Sequence, residues 1–312
     1  MGRKSISKEK VRSFLSQETL AGYGFVALPM ALFLTLNVGV FIYAFYISLF
    51  KWQILGPVEM IGFQNYVDMF EDEIFRKALR NSLIFAVCVV PLQAAMGLFL
   101  ALLVNSRIRG HTVFRATFYF PSVASSAATT TLFIFILAPD GIFNSALAFI
   151  GVAPETLFNG GGWLNDARSA LGSVVVLIAW TTSGTMMLFY LGYLQGLDAN
   201  VFEAARTDGA SSRQIFWLIT MPLLRPAHFF VVVTGMIGAM QMFDQAILAG
   251  GVDGSPDYSL MTVVLYVYNA SFRQFQFGYA AAVGIVLFAV IMAATLLQRW
   301  FFGRAAWRGV EG

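Results

Sequence analysis

Apolar positions along the chain fall into six long runs, at 23–50, 81–104, 113–138, 170–196, 226–249 and 279–302. Turn-rich or polar stretches separate them. Each run reaches the roughly 20 apolar residues that a helix needs to cross the hydrocarbon core of a bilayer. The pattern therefore predicts an all-α integral membrane protein of about six transmembrane helices. Several runs contain Gly, Pro or Ser/Thr, which membrane helices tolerate because neighbouring groups satisfy the freed backbone. The first run is too long for a secretory signal core of about 7–15 residues and reads as a retained span.

Composition agrees with this pattern. Of 312 residues, 58% are hydrophobic and only 12% are charged, against about 25% charged in soluble domains. The apolar residues are too many to fill one soluble core and must face lipid. The few charges orient the chain. With the N-terminus inside, the inner segments hold fourteen basic residues: Arg3, Lys4, Lys8, Lys10, Arg12, Arg107, Arg109, Arg115, Arg206, Arg213, Arg225, Arg299, Arg304 and Arg308. The outer segments hold six: Lys51, Arg76, Lys77, Arg80, Arg168 and Arg273. The excess predicts both termini inside. Acidic residues lean the other way, with Asp68, Glu71, Asp72, Glu73, Asp140, Glu155 and Asp253 among those outside. Trp52 and Trp163 fall at the outer interface, and Trp217, Trp300 and Trp307 at the inner one. The expected organisation is a cytoplasmic segment at 1–22, a transmembrane domain at 23–302 and a cytoplasmic tail at 303–312.

The inner loops are short except at 197–225, which is amphipathic rather than merely polar. Asp198 or Asn200 is placed to cap a helix, and Glu203 sits in its first turns, where negative charge suits the helix dipole. Val201, Ala204 and Ala205 form a small, flat face. Gly209 permits the left-handed conformation that ends a helix, and Ser211 or Ser212 can start another. Ile215, Leu218 and Ile219 repeat at helical spacing, and Pro222 closes the unit. Two short helices joined at a glycine are expected on the cytoplasmic side. A plain interfacial connector is the bland alternative, but such helices favour basic faces and bulky apolar ones.

Glu203-Ala204-Ala205, followed by Gly209, Ile219 and Pro222, resembles the "EAA loop" of ABC importer permeases, with Met221 in place of the usual leucine. Asn65-Tyr66, Asn81-Ser82, Phe114-Arg115, Pro121, Pro139-Asp140-Gly141, Gln195-Gly196-Leu197 and Phe277-Gly278-Tyr279-Ala280-Ala281 extend the likeness. Together they resemble the first permease subunit of maltose- and glycerol-phosphate-type uptake systems, from about residue 23 to 299. The resemblance implies a type I importer permease fold in a bacterial or archaeal cytoplasmic membrane, importing a di- or oligosaccharide or related carbohydrate. It also implies the partners: a second homologous permease subunit, two cytoplasmic ATPase subunits and an extracytoplasmic sugar-binding protein. In that family the EAA loop docks into a cleft of the ATPase. The residues implied for coupling are Glu203, as the ion-pairing acid, Ala204 and Ala205 for close docking, Asp208, Gly209 for the bend, Ile219 and Pro222. ATP and magnesium belong to the partner subunits, and no cofactor is expected in this chain.

A sugar site inside a membrane needs hydrogen-bonding side chains and aromatic surfaces on otherwise apolar helices. The third run carries Ser122, Ser125, Ser126, Thr129, Thr130 and Thr131; the fourth carries Trp180, Thr181, Thr182, Ser183 and Thr185. The fifth carries Gln241 and Asp244, whose spacing would place them on one helical face beside Phe243. Ser and Thr also serve as helix-packing glue. The resemblance to maltose-type permeases raises Thr181, Thr182, Thr185, Gln241 and Asp244 to candidate substrate contacts.

Other functions fit less well. A secondary transporter needs an intramembrane ion or proton site, and only Asp244 offers one. A membrane hydrolase built on Ser183 lacks a nearby span histidine, since His111 and His228 lie in a loop and at a helix end. No nucleotide-binding glycine loop is present, so this chain is not expected to hydrolyse ATP itself, which fits the transport subunit, not an enzyme, that the resemblance implies. No metal-ligand cluster exists, Cys88 is the lone cysteine, and nothing points to nucleic acid. A glycerol-phosphate or polyol is the alternative cargo.

Overall fold

A computed structural model describes residues 17–105, 111–153 and 162–306. The basic residues Arg3, Lys4, Lys8, Lys10, Arg12, Arg107, Arg109 and Arg308, together with Glu155 and Trp307, lie outside that range. Within it the chain is helical apart from one hairpin, Phe50–Gln53 paired antiparallel with Gly56–Met60. The hairpin is the departure from the all-helical expectation.

Four helices are long and apolar enough to cross a membrane: Ala21–Ser48, Glu73–Asn105, Ala170–Gln195 and Phe277–Phe301. Two bent pairs pass the same test when each is taken together, Thr112–Val123 with Ser126–Ile136 and Ser212–Leu223 with Arg225–Met240, which gives up to six spans among the described residues; in the second pair the span proper is Arg225–Met240. All six predicted runs are thus helical.

The second and fourth spans form the centre. Phe85, Ala86, Val89, Val174, Ala179 and Met187 are buried between and around them. Their contact is close because Gly97 faces Met186: a methyl group at Gly97 would lie 2.6 Å from the Met186 Cβ. The fourth span meets the third in the same way at Gly184, whose added Cβ would sit 2.5 Å from the Phe118 carbonyl oxygen. Small residues at such crossings are the usual membrane solution, since lipid tails supply no apolar driving force between helices. The first span, by contrast, exposes Phe25, Leu28, Leu36 and Ile42 within this chain. That surface must meet lipid or another polypeptide.

Three expectations are corrected. The third run is not one continuous helix: it breaks at Ala124 and Ser125 with a bend of 94°. Pro121 removes a backbone donor and crowds the preceding turn, and Ser125 is extended. In the first turn after the break, the Thr129 hydroxyl donates to the Ser125 and Ser126 carbonyls and the Thr130 hydroxyl to that of Ser126. The fifth run also ends early. Its helix stops at Met240, residues Gln241–Phe243 turn, and a separate short helix runs Asp244–Gly250. Asp244 suits that start because a carboxylate favours a helix N-terminus. Gln241 and Asp244 therefore do not share one helical face.

The third correction concerns the stretch between the fifth and sixth spans, expected as a polar outer loop. It contains a helix, Val263–Tyr268, and buries Leu260, Met261, Val263 and Leu265 in the core. The second span ties it down. The Asn81 amide donates to the carbonyls of Tyr258 (2.7 Å) and Met261 (3.1 Å), and the Ser82 hydroxyl accepts from the Val263 N–H. Thr262 donates to the Met242 carbonyl and accepts from the Leu265 N–H.

Candidate functional site

The two-helix unit at 198–223 forms from local signals. Asp198 caps the helix Ala199–Thr207 by accepting from the Asn200 N–H at 2.9 Å. The helix ends into Gly209 at φ +80°, a left-handed conformation that costs a side-chain-bearing residue. Ser211 then starts the next helix through a capping box with Gln214. The second helix passes through a π-helical turn at Ile215–Thr220 and reaches Pro222 before a 61° bend at Leu224 leads into the fifth span. The expected two helices and their glycine junction are present.

The exposure of this unit decides what it can do. Glu203 and Ala204 are exposed and Ala205 is half-buried. The Glu203 carboxylate makes no ion pair or hydrogen bond among the described residues; only its backbone carbonyl is used, by Thr207. Asp208 and Trp217 are exposed too, and Ile219 is half-buried. An acid whose carboxylate has no partner among the described residues, a small flat face and an exposed indole set edge-on to Phe216 project from this corner.

The fourth-span candidates sit at helix crossings. Thr181 donates to the Ile178 carbonyl of its own helix, while its own carbonyl accepts from the Ser122 hydroxyl of the third span. The Thr185 N–H donates to that same Ser122 oxygen. Thr182 Oγ lies 2.7 Å from Gln93 Oε1 and 2.6 Å from the Ile178 carbonyl. Gln93 is buried in the second span, and its amide lies directly against Gly235 of the fifth. Gln93 and Thr182 thus join three spans at one point. Sequence reading missed Gln93; its signal is an amide two residues after Pro91, within an otherwise apolar stretch of its helix. Ser183 donates to the Trp180 carbonyl, and His228 pairs with Tyr190 at 2.8 Å, so these two candidate hydrolase groups are engaged separately.

Gln241 is exposed at the end of its helix and lines a cavity of about 390 Å³ between the fifth and sixth spans. The other walls include Ile237, Leu287, Phe288 and Met292, with Thr295 as a second polar group. Asp244 is exposed in the first turn of its own helix. The neighbouring Gln245 donates to Ser126 at 2.7 Å and holds that helix against the second half of the third span.

The outer face carries a polar network that sequence reading did not isolate. Asp72 caps the second span by accepting from the N–H groups of Ile74 and Phe75. Its other oxygen accepts from the Tyr266 hydroxyl at 2.7 Å, and Tyr266 meets Tyr279 at 2.9 Å. With the Tyr266 proton committed to Asp72, Tyr279 is the donor of the second bond. Burial, then the bonds to Tyr279 and Asp72, raise the Tyr266 phenol well above its usual range and keep it protonated.

A family described as "Binding-protein-dependent transport system inner membrane component" matches residues 93–306. The lactose transport system permease protein LacF of Rhizobium radiobacter is 36% identical over 239 residues, covering 76% of this chain and 79% of its own length. The multiple sugar-binding transport system permease protein MsmF of Streptococcus mutans is 30% identical over 240 residues, covering 77% of this chain and 80% of its own. Among solved structures, a bacterial alginate ABC transporter in complex with an alginate pentasaccharide-bound periplasmic protein superposes with a TM-score of 0.80. It is 19% identical and covers 97% of this chain and 99% of its own.

Proposed function

Because this chain belongs to the family of binding-protein-dependent transport system inner membrane components, we propose that it is a multi-pass permease subunit of an ATP-binding-cassette importer whose cargo is a sugar. The observation that carries the reading is the cytoplasmic corner at 198–223. It holds, on a two-helix unit, an acid whose carboxylate has no ion pair or hydrogen bond among the described residues, in a chain whose sequence has no nucleotide-binding loop. The force that moves the spans must then come from another polypeptide through this corner. The corner runs directly into the fifth span across a single bend at Leu224, so displacement of one displaces the other.

Glu203 is the group that pairs with a basic residue on the ATPase. Ala204 and Ala205 allow close approach, and Gly209 holds the angle between the two helices. Asp208, Ile219 and Pro222 shape the rest of the docking surface. A second permease subunit, two ATPase subunits and an extracytoplasmic sugar-binding protein complete the importer. Lactose and multiple-sugar permeases among the relatives support the sugar class. Thr181, Thr182, Thr185, Gln241 and Asp244 are its candidate contacts along the membrane path. Gln241 and Asp244 are the more accessible, since Thr181 and Thr182 are engaged in helix packing.

The test is ATP hydrolysis by the assembled complex in lipid, with and without sugar-loaded binding protein, beside uptake of the same sugar. Glu203→Lys places like charges at the dock and should abolish both stimulated hydrolysis and uptake while the chain remains inserted. Normal stimulation in that variant would reduce the corner to a connector.

A further inference from the structure

The outer face holds a cavity of about 600 Å³ that the import reading does not use. This lies within the range of about 300–1,000 Å³ typical of small-molecule sites. Its walls come from the hairpin, the helix Gln64–Glu71, the start of the second span, the buried outer helix and the start of the sixth span. These parts are locked together. The Asn65 amide donates to the carbonyls of Ser48 and Phe50, fixing the hairpin base to the helix. Gly278 lies so close to the Phe50 carbonyl and the Trp52 N–H that no side chain could stand there. The Asp72–Tyr266–Tyr279 chain forms the rigid back wall.

The rim is different in kind. Gln53, Gln274 and Gln276 line the cavity, are exposed, and make no side-chain hydrogen bond among the described residues. Gln274 and Gln276 flank Phe275, which adopts φ +57°, a conformation that is a true outlier for a bulky residue. Backbone of this kind persists only where the surroundings enforce it and clusters at binding sites. Here the Gln274 and Gln276 N–H groups are both held, by the carbonyls of Asn269 and Ala270, and the reversed residue between them leaves both amides on the cavity.

The chemistry of the lining selects an occupant. Side-chain amides donate and accept together, and the carboxylates of Glu59 and Asp68 accept. Sugar hydroxyls also donate and accept together, and a sugar ring has an apolar face suited to the exposed parts of Trp52 and Tyr279. An anionic ligand would meet Glu59, Asp68 and Asp72, whereas a basic peptide side chain would need acceptors alone and would meet Lys51. We propose that this outer cavity is a second carbohydrate site, taking a neutral mono- or disaccharide on the extracytoplasmic face before the sugar enters the membrane path. The proposal rests on the sugar-import reading and adds a site to it.

The experiment titrates lactose and maltose, with an alginate disaccharide as the acidic counter-probe, into the assembled importer in lipid nanodiscs without binding protein. Ligand-observed NMR reads the binding. Lactose or maltose should saturate a weak site, and the acidic disaccharide should not. The Gln274→Ala/Gln276→Ala double variant touches exposed side chains and should insert normally, and it should weaken binding about tenfold through two lost hydrogen bonds. Trp52→Phe should retain binding and Trp52→Ala should lose it. No saturable binding of either neutral sugar, or binding unchanged in the double variant, would overturn the proposal. So would a double variant whose only defect is weaker docking of the binding protein, which would make the cavity a protein contact. Uptake of lactose and maltose by the wild-type importer with its binding protein is measured separately. Uptake without cavity binding sinks the second site alone, whereas absence of sugar uptake sinks the import reading.

Discussion

Gly209 and Glu203 show how single residues divide between shape and contact. A methyl group at Gly209 would meet nothing within 4 Å, so substitution there acts through the backbone alone. Holding a residue with a Cβ in the left-handed region costs about 1–2 kcal/mol. Gly209→Val should therefore leave insertion intact and lose binding-protein-stimulated ATP hydrolysis, because the angle between the two helices changes. Gly209→Asn should keep most of it, since Asn visits that region readily. Equal ATPase rates for the two variants would count against the bend as the coupling element. Asp244 tests the membrane path. Asp244→Ala removes a charge-assisted hydrogen bond worth about 1.5–3 kcal/mol, so uptake should fall through a KM raised at least tenfold while the complex still assembles. Loss of assembly in Asp244→Ala would make that residue structural.

Helix crossings set what each element tolerates. Gly184 and Gly172 lie in the same helix, Ala170–Gln195. An added Cβ at Gly184 meets the backbone of Phe118 and Tyr119, which cannot rotate away, whereas at Gly172 it meets nothing within 4 Å. Gly184→Ala should lower the stability of the purified complex by about 1–3 kcal/mol through overpacking. Gly172→Ala should be neutral or stabilising by up to about 1 kcal/mol from helix propensity. Thermal unfolding in detergent compares the two, and an equal effect would deny the tight crossing. Thr182 belongs to the same logic. Its hydroxyl meets buried Gln93, and interhelical bonds of this type are worth about 0.6 kcal/mol. Thr182→Val should cost a little stability and leave sugar affinity unchanged; a large loss of affinity would identify it as a substrate contact instead.

At the scale of the whole molecule, six spans place the hairpin and its cavity on one face and the two-helix corner on the other. Cysteine labelling in the Cys88→Ser background checks this. Phe70→Cys, on an exposed position, should react with an impermeant reagent from outside, and Ala210→Cys should not. Reaction of the second site from outside would invert the topology. Much of this plan was legible beforehand for a physical reason. Span length and loop charge are properties of the chain against the bilayer, and the corner at 198–223 is built from caps and a glycine acting on their own neighbours. Periodicity and local capping therefore determined where the long apolar helices fall and how the two-helix corner is built. The tertiary structure alone decided what depends on distant partners. The helix Val263–Tyr268 is buried only because Asn81 holds the loop 177 positions away. The Thr182 hydroxyl meets Gln93 and the Thr181 carbonyl meets Ser122 because those partners arrive from other spans, and Gln241 parted from Asp244 at a break whose Met242 carbonyl is held by Thr262. The outer cavity unites residues from the hairpin to Tyr279 that no local pattern connects, because burial and hydrogen bonding between remote segments are settled only when the chain has folded.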